Sequence, residues 1–250
     1  MKFFKTILLI LIVAVTVQGC SKEKQAENDA KENVGDSAKD LLNDADFKSV
    51  LLEVQYIAGS RPTTGTIDNL TSFMEEHLNK PQGLEIQLRE IPSQGKTSFS
   101  VNDIRAIEDN NRTVFNDGTR LGVYMLFING NHNEDNDNGK VLGVAYRNTS
   151  TVIYEKTIKE NAGGFGQPTL EKLETSVAWH ELGHIMGLVN VGTPAQSNHQ
   201  DVAHGHHCDV EDCLMYYAVE TGAFIDNLVG SPIPTLDAQC KADLKANGGK

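Results

Sequence analysis

One stretch of the chain constrains its fold more than any other, and it reads HELGHIMG from residue 180 to residue 187. Its two histidines are four residues apart, so on an α-helix both imidazoles lie on one face. From about residue 168 the predicted helix carries apolar residues all round, and a helix of this kind is buried. The sequence therefore predicts a core helix over 168–188 that directs His180 and His184 towards one point.

The H-E-x-x-H pattern also has a chemical reason. Two imidazole nitrogens that converge can bind one zinc ion, and Glu181 lies about 100° around the helix from His180. From there its carboxylate can reach a water at the metal without binding the metal, and can act as a general base. Two buried histidines without a metal would be costly. We interpret His180 and His184 as zinc ligands and Glu181 as the catalytic base.

With Gly187 the motif extends to H-E-x-x-H-x-x-G, and in this form it resembles the metzincin clan of zinc peptidases. The resemblance implies that Gly187 ends the helix and lets a third ligand approach the metal from below. In that clan a histidine or an aspartate follows three residues after the glycine. Here that place is held by Asn190, whose neutral amide is a poor zinc ligand.

The segment HHCDVEDCLMYY over 206–217 resembles the archaemetzincin branch, which carries its third histidine directly before a C-x4-C-x-M arrangement. The resemblance implies that His207 is the third ligand and that Met215 is the methionine of the clan's Met-turn. It also implies that Tyr217 stabilises a developing oxyanion, as a tyrosine does in some metzincins. The other candidates for the third ligand, which stay open, are Asn190, His199, Asp201, His204, His206, Glu211 and Glu220.

The cysteines depart from the archaemetzincin pattern. Archaemetzincins bind a structural zinc with a second cysteine pair, spaced C-x-x-C, and this chain has no such pair. Beyond Cys20 it has only Cys208, Cys213 and Cys240. In an oxidising compartment we expect a disulfide between Cys208 and Cys213, which would fix the loop that carries His207. Cys240 lies on an apolar helical stripe and is expected to be a buried free thiol.

The start of the chain has the features of an export signal. MKFFK is positively charged, TILLILIVAVTV is apolar but short for a membrane span, and small residues precede Cys20. This ending resembles a bacterial lipobox. The resemblance implies that the chain is cleaved before Cys20, lipidated there and attached to the cell envelope at its periplasmic or surface face. Residues 20–45 are charged and poor in aromatic residues, and they predict a solvated tether.

These features together predict a signal peptide over 1–19, a tether over 20–45 and a catalytic domain over 46–250. In the domain, strands alternate with helices before the buried helix and an irregular C-terminal part that ends in a helix. This order predicts an α/β (α+β) single domain, and the resemblance to metzincins implies a twisted mixed sheet. The net charge of −12 argues against nucleic acid as a partner.

A polar loop gives a secondary hypothesis. Asp135, Asp137 and Gly139 have the spacing of a calcium loop, although the glutamate that closes such a loop is missing. We retain Ca²⁺ there as a minor hypothesis beside the zinc ion.

The resulting functional prediction is a membrane-anchored zinc metallopeptidase that acts on a peptide or protein substrate. An edge strand near VLGVAYRN, over 141–148, would bind the substrate by strand addition, as the resemblance implies. Two alternatives stay open: a surface lipoprotein that binds a partner through a degenerate metal site, and a zinc hydrolase of a non-protein amide or ester. The intact Glu181 argues against the first, because a structural zinc site needs no base.

Overall fold

A five-stranded mixed sheet forms the centre of the fold in the computed structural model, which describes residues 22–136 and 139–250. The predicted signal peptide, Cys20 and Asp137 lie outside the described residues. The strands are β1 (Ser49–Ile57), β2 (Leu84–Ile91), β3 (Ser98–Phe99), β4 (Arg120–Ile128), β5 (Asn131–His132), β6 (Gly143–Arg147) and β7 (Ser150–Tyr154).

Helices cover both faces of this sheet. They are α1 (Ala38–Leu42), α2 (Thr64–His77), α3 (Val101–Asn111), α4 (Glu155–Glu160), α5 (Leu170–Ile185) and α6 (Ala238–Ala246). Residues 22–29 are also helical, and two 3₁₀ helices, Tyr217–Val219 and Gly222–Leu228, precede α6. Within the described ranges, no helix has the length and apolar character that a membrane span requires.

The order of the strands in the sheet is β2-β1-β4-β7-β6. All neighbouring pairs are parallel except β6 and β7, so the sheet ends in one antiparallel edge strand. Parallel strands need cover on both faces, which explains why β4 is a continuous apolar run. The predicted mixed α/β single domain is confirmed. After Tyr154 the residues EKTI belong to α4 and do not extend β7.

Successive residues of β4 divide between two cores. Val123 and Met125 pack with α2 and α5 on one face, whereas Tyr124 and Leu126 pack with α3 on the other. The ring of Trp179 on α5 stacks on Phe73 of α2, with 4.9 Å between the ring centroids. The predicted core helix is therefore present, and it lies between α2 and the edge-strand half of the sheet.

The segment predicted to be a solvated tether over 20–45 is folded onto the domain where the structure describes it. Leu41 and Leu42 of α1 are 1% and 0% exposed and belong to the main core. Asn148 donates from its side-chain amide to the Ser37 hydroxyl at 2.9 Å. The tether prediction was wrong here because Val34, Ala38, Leu41 and Leu42 form a short apolar helical stripe within a mostly charged sequence.

This packing predicts that a substitution in the N-terminal segment lowers the stability of the whole domain. The substitution Leu41→Ala should lower the free energy of unfolding by about 2–5 kcal/mol, because it leaves a cavity in the core. Urea denaturation followed by circular dichroism measures this change. Val202→Ala, at a side chain 86% exposed, is the control and should change the free energy by less than about 0.5 kcal/mol. An unchanged midpoint for Leu41→Ala would mean that the segment is not part of the domain.

Candidate metal centre

Helix α5 ends in a turn that requires glycine. Gly187 has a φ of +84°, and a Cβ atom there would lie 2.7 Å from atoms of Ala38, Thr193 and Val191. No side chain fits such a space, and the left-handed conformation itself favours glycine. The left-handed backbone recurs at Asn190, with a φ of 64°, so the chain reverses beneath the helix end. This reversal brings the following loop back towards His180 and His184.

Three histidine rings meet at the end of α5. The Nε2 atoms of His180 and His184 are 3.1 Å apart, and the ring of His207 stacks on that of His180 with 5.2 Å between centroids. Ligand atoms of these three histidines and of Glu220 all lie within 4.8 Å of one another. Two atoms bound to one tetrahedral zinc at its usual distances are about 3.3 Å apart. The spacing therefore suits a single ion.

Backbone carbonyls fix the orientation of two of these rings. Nδ1 of His180 lies 2.7 Å from the carbonyl oxygen of Leu214, and Nδ1 of His207 lies 2.6 Å from that of His204. A nitrogen facing a carbonyl must carry the proton, so each ring turns the lone pair of its Nε2 towards the shared centre.

Burial keeps two of the imidazoles neutral, the form that binds metal. It lowers the pKa of His180 to about 4 and the pKa of His184 well below its ordinary value. Burial also acts to lower the pKa of His207, but the neighbouring carboxylate of Glu220 outweighs it, and that pKa is raised.

The carboxylate of Glu181 is buried beside the edge strand. A Cβ atom on Gly143, the first residue of β6, would lie 2.7 Å from its Oε1. Neither oxygen has a hydrogen-bond partner among the described residues, and the same is true of Nε2 of His207. Burial, with the charge of Glu220, raises the pKa of Glu181 well above its ordinary value. Such polar atoms are costly to bury alone, so they fit a site completed by a cation and water.

Met215 lies directly below α5. Its side chain is fully buried, and a Cβ atom on Gly183 would come within 2.3 Å of its sulfur. Its carbonyl accepts a hydrogen bond of 2.8 Å from the amide of Cys208, the residue after His207. Met215 thus packs against the glycine within the helix, and Gly187 lies in the turn that follows it.

Tyr217 lies elsewhere. Its ring stacks on that of His204, with 3.6 Å between centroids and 4° between planes. It lines a separate cavity of about 490 Å³ together with Lys140 and Gly222. The structure does not bring the predicted oxyanion residue to the three histidines.

Most of the alternative third ligands have other roles. Asn190 uses both atoms of its amide for hydrogen bonds within its own loop. His204 pairs with Asp201 at 2.6 Å, and Nδ1 of His206 lies 3.1 Å from the carbonyl oxygen of Val189. Of the alternatives considered, Glu220 alone shares the ligand group of His180, His184 and His207.

Glu220 joins the three histidines rather than replacing one of them. Its Oε1 lies 3.3 Å from Nε2 of His207, and its Oε2 lies 3.8 Å from Nε2 of both His180 and His184. Burial acts to raise its pKa, but the three imidazoles lower it to about 2, so the side chain is a carboxylate. The H-E-x-x-H-x-x-G motif does not include this residue. Glu220 lies after Met215, at the end of a short 3₁₀ helix whose composition has no distinctive feature.

The three cysteines meet in a second buried cluster. Cys208, Cys213 and Cys240 are free thiols, and the sulfurs of Cys213 and Cys240 are 3.6 Å apart. The disulfide predicted between Cys208 and Cys213 is therefore not formed, because α6 brings Cys240 into contact with the same loop. Cys240 is buried, as predicted, and it forms no disulfide in the described structure.

His199 and two aspartates, Asp237 and Asp243, lie beside these thiols. Nδ1 of His199 lies 3.4 Å from the sulfur of Cys208, and its Nε2 lies 2.8 Å from the buried carboxylate of Asp243. Ligand atoms of His199, Cys208, Asp237 and Cys240 all lie within 4.8 Å of one another. Sulfur and imidazole are the donors of structural zinc sites, and a carboxylate behind the histidine is typical of them.

A cleft runs past the first group of histidines. Its volume is about 510 Å³, within the usual range for binding pockets. Val144, Ala145 and Tyr146 of β6 line one side, and Asn33 and Val34 of the N-terminal segment line another. The edge strand therefore lies beside Glu181 and along the cleft.

The hypothesis of a calcium loop gains no support. Asp135 accepts a hydrogen bond of 2.8 Å from the backbone amide of Val141, and its other oxygen lies 3.4 Å from the hydroxyl of Thr157. Its carboxylate thus serves to hold the loop.

Neither a protein-family model nor a curated protein sequence matches the chain. Among solved structures, the chain is similar to the crystal structure of archaemetzincin from Methanopyrus kandleri. The TM-score is 0.51 at 16% identity, and the match covers 80% of this chain and 96% of that chain. At this identity the likeness shows the fold, and it agrees with the fold that the sequence motifs implied.

Proposed function

We propose that the protein is a zinc-dependent metalloendopeptidase in which His180, His184 and His207 hold the metal. The observation that carries this proposal is the buried carboxylate of Glu181, which lies without a partner in the described structure, between converging imidazoles and the edge strand. A site that only stabilises the fold has no use for such a group. This argues against the alternative of a degenerate site that merely binds a partner.

In the proposed reaction the protein's own residues divide two tasks. Zinc would polarise the scissile carbonyl and lower the pKa of a water towards neutrality. Glu181 would accept a proton from the attacking water and deliver it to the leaving nitrogen. Burial raises the pKa of Glu181 and so makes it a better proton acceptor, while a bound cation acts in the opposite direction.

We propose that the substrate is an extended peptide that adds to β6. This strand is the antiparallel edge of the sheet, and its first residue touches Glu181. An open strand edge offers backbone hydrogen bonds to any peptide sequence, and the cleft beside it takes the side chains. A hydrolase of a small non-protein amide would have no need of this edge, so the peptide is favoured.

We also propose that the cysteine cluster holds a structural zinc ion. The support is the convergence of His199, Cys208, Asp237 and Cys240, whose ligand atoms all lie within 4.8 Å of one another, with Asp243 bonded to the outer nitrogen of that histidine. The backbone amides of Met215 and Asp237 lie 3.4 Å from the sulfur of Cys213, as donors to a thiolate would. Such an ion would stabilise the loop that carries His207.

A further proposal concerns location. We propose that the chain is exported and attached to the cell envelope through a lipid on Cys20, and the lipobox-like sequence before Cys20 supports this. Because Ala30 and the α1 residues Ala38, Leu41 and Leu42 are buried, an anchor at Cys20 would hold the cleft near the membrane surface. The domain would then act close to the membrane rather than on a long tether.

Two bound zinc ions are the first expected result. The protein purified from residue 21 onward should contain two zinc ions per chain, as measured by inductively coupled plasma mass spectrometry. His184→Ala and Cys240→Ser should each contain one, because each loses a ligand of a different centre. His204→Ala is the matched control and should retain two, since His204 pairs with Asp201 outside both clusters. Two ions in either ligand variant would contradict the assignment of that centre.

Peptide cleavage tests the reaction. The same soluble protein should cut members of a diverse peptide library, and Glu181→Gln should lower kcat/KM by about 10²–10⁴-fold, the usual contribution of a general base. The variant should keep its zinc. Glu211→Gln, at an exposed carboxylate, is the control and should cut like the wild type. If the zinc-loaded wild type cuts no peptide, a narrower hydrolase or a binding protein becomes the better interpretation.

Lipid attachment is tested on the full chain in bacterial cells. The wild type should incorporate radiolabelled palmitate and fractionate with membranes, and Cys20→Ser should do neither, because the acylated thiol is lost. Cys240→Ser, which alters a buried cysteine of the domain, controls for non-specific labelling. A mature protein with an unmodified Cys20 would rule out the anchor.

A further inference from the structure

We infer that Glu220 is a fourth protein ligand of the proposed zinc, one that closes the centre in the resting protein and gives way when a substrate binds. The inference rests on the proposed zinc site at His180, His184 and His207. It adds a residue that the zinc-binding motif does not contain, and it makes access to the metal depend on occupation of the cleft.

The first argument is the position of the two oxygens. Oε1 of Glu220 lies 3.3 Å from Nε2 of His207, which matches the separation of about 3.3 Å between two ligands of one tetrahedral zinc. Oε2 lies 3.8 Å from Nε2 of both His180 and His184. The carboxylate thus faces all three nitrogens at once, as a ligand of a shared ion does.

The second argument is that hydrogen bonding does not account for this position. A distance of 3.8 Å is too long for a hydrogen bond. Oε1 of Glu220 can pair with Nε2 of His207 at 3.3 Å, but this pairing leaves the position of Oε2 between His180 and His184 unexplained. An ion at the common centre would satisfy all these atoms together.

The third argument concerns which ligand can leave. The side chains of His180 and His184 are 0% and 9% exposed, whereas that of Glu220 is 28% exposed and lines the cleft. His180 and His184 lie on a buried helix, and the side chain of His207 is 9% exposed, with its Nδ1 facing the carbonyl oxygen of His204. Glu220 is therefore the most exposed of the four donors, at the cleft from which an incoming carbonyl oxygen would approach.

The fourth argument connects this ligand to the strand proposed to bind the substrate. The carbonyl of Glu220 accepts a hydrogen bond of 2.8 Å from the amide of Leu142, the residue before β6. The next two residues continue this pairing: Thr221 pairs with Val141, and the amide of Gly222 donates to the carbonyl of Lys140 at 3.1 Å. A peptide that adds to β6 lies beside this backbone and can shift the side chain of Glu220 from the metal.

Cobalt spectroscopy tests the inference without a substrate. Co²⁺ replaces zinc in the wild type, Glu220→Ala, Glu220→Gln and the exposed control Glu211→Ala, and the visible d–d bands report the ligand set. We expect changed bands in both Glu220 variants and wild-type bands in the control. Zinc affinity should fall by at least about tenfold, the lower bound for losing even an outer partner of a metal ligand.

Titration with acetohydroxamate, a small metal-binding anion, tests the closed state. It should perturb the cobalt bands of Glu220→Ala at concentrations at least tenfold lower than those needed for the wild type, because it no longer competes with a carboxylate. Glu220→Gln keeps the size of the side chain, so agreement between the two variants excludes misfolding as the cause. Unchanged bands and equal hydroxamate affinity in both Glu220 variants would overturn the inference.

The two proposals fail in different ways. If the bands respond to Glu220 substitution but the wild type cuts no peptide, the ligand assignment is supported and the peptidase proposal is not. If the wild type cuts peptides through Glu181 and the bands do not respond, the peptidase proposal holds and Glu220 is not a ligand.

Discussion

The contact between Met215 and Gly183 holds the two halves of the metal centre in register. Only a glycine on the helix leaves room for that sulfur, and the neighbouring carbonyl of Leu214 orients the ring of His180. The amide of Cys208 bonds to the carbonyl of Met215, so His207, the residue before it, is placed relative to the same contact. The cysteine cluster begins at Cys208. A metal in that cluster would therefore fix the position of His207 as well as the fold of the loop, and the two centres act as one structural unit.

The residues that the sequence predicted well are those whose contacts are local. The H-E-x-x-H spacing fixes the relation of His180 to His184 within one helix, and Gly187 marks the helix end by its backbone alone. His207 followed from resemblance rather than from spacing. Contacts made by distant parts of the chain were not predictable. His199 meets Asp243 and Cys240 because α6 packs against the loop, and the apolar stripe of that helix predicts its burial but not its partner. Glu220 reaches the centre through a 3₁₀ helix, for which sequence patterns are weak.

The N-terminal segment shows how composition can mislead. A run rich in Lys, Glu, Asp and Asn predicts solvation, yet Gly35 packs so closely that a Cβ atom would lie 2.4 Å from the carbonyl oxygen of Val191. That contact ties the segment to the loop following Gly187. Asn33 and Val34 then line the cleft together with residues of β6. The part of the chain nearest the proposed anchor thus also shapes the proposed substrate site, and a membrane surface close to it would restrict which peptides reach the edge strand.

The charges at the centre explain why a fourth ligand and a buried base can coexist. Without a cation, the buried carboxylate of Glu181 lies near that of Glu220, and burial together with the charge of Glu220 raises the pKa of Glu181. A divalent cation among neutral imidazoles balances both carboxylates, so metal binding is coupled to the stability of the site. If Glu220 left the proposed ion, the remaining centre would carry more positive charge and would attract a carbonyl oxygen more strongly. The same change would weaken Glu181 as a base, because the uncompensated cation would lower its pKa. In the proposed peptidase the site would therefore gain Lewis acidity only when a substrate fills the cleft.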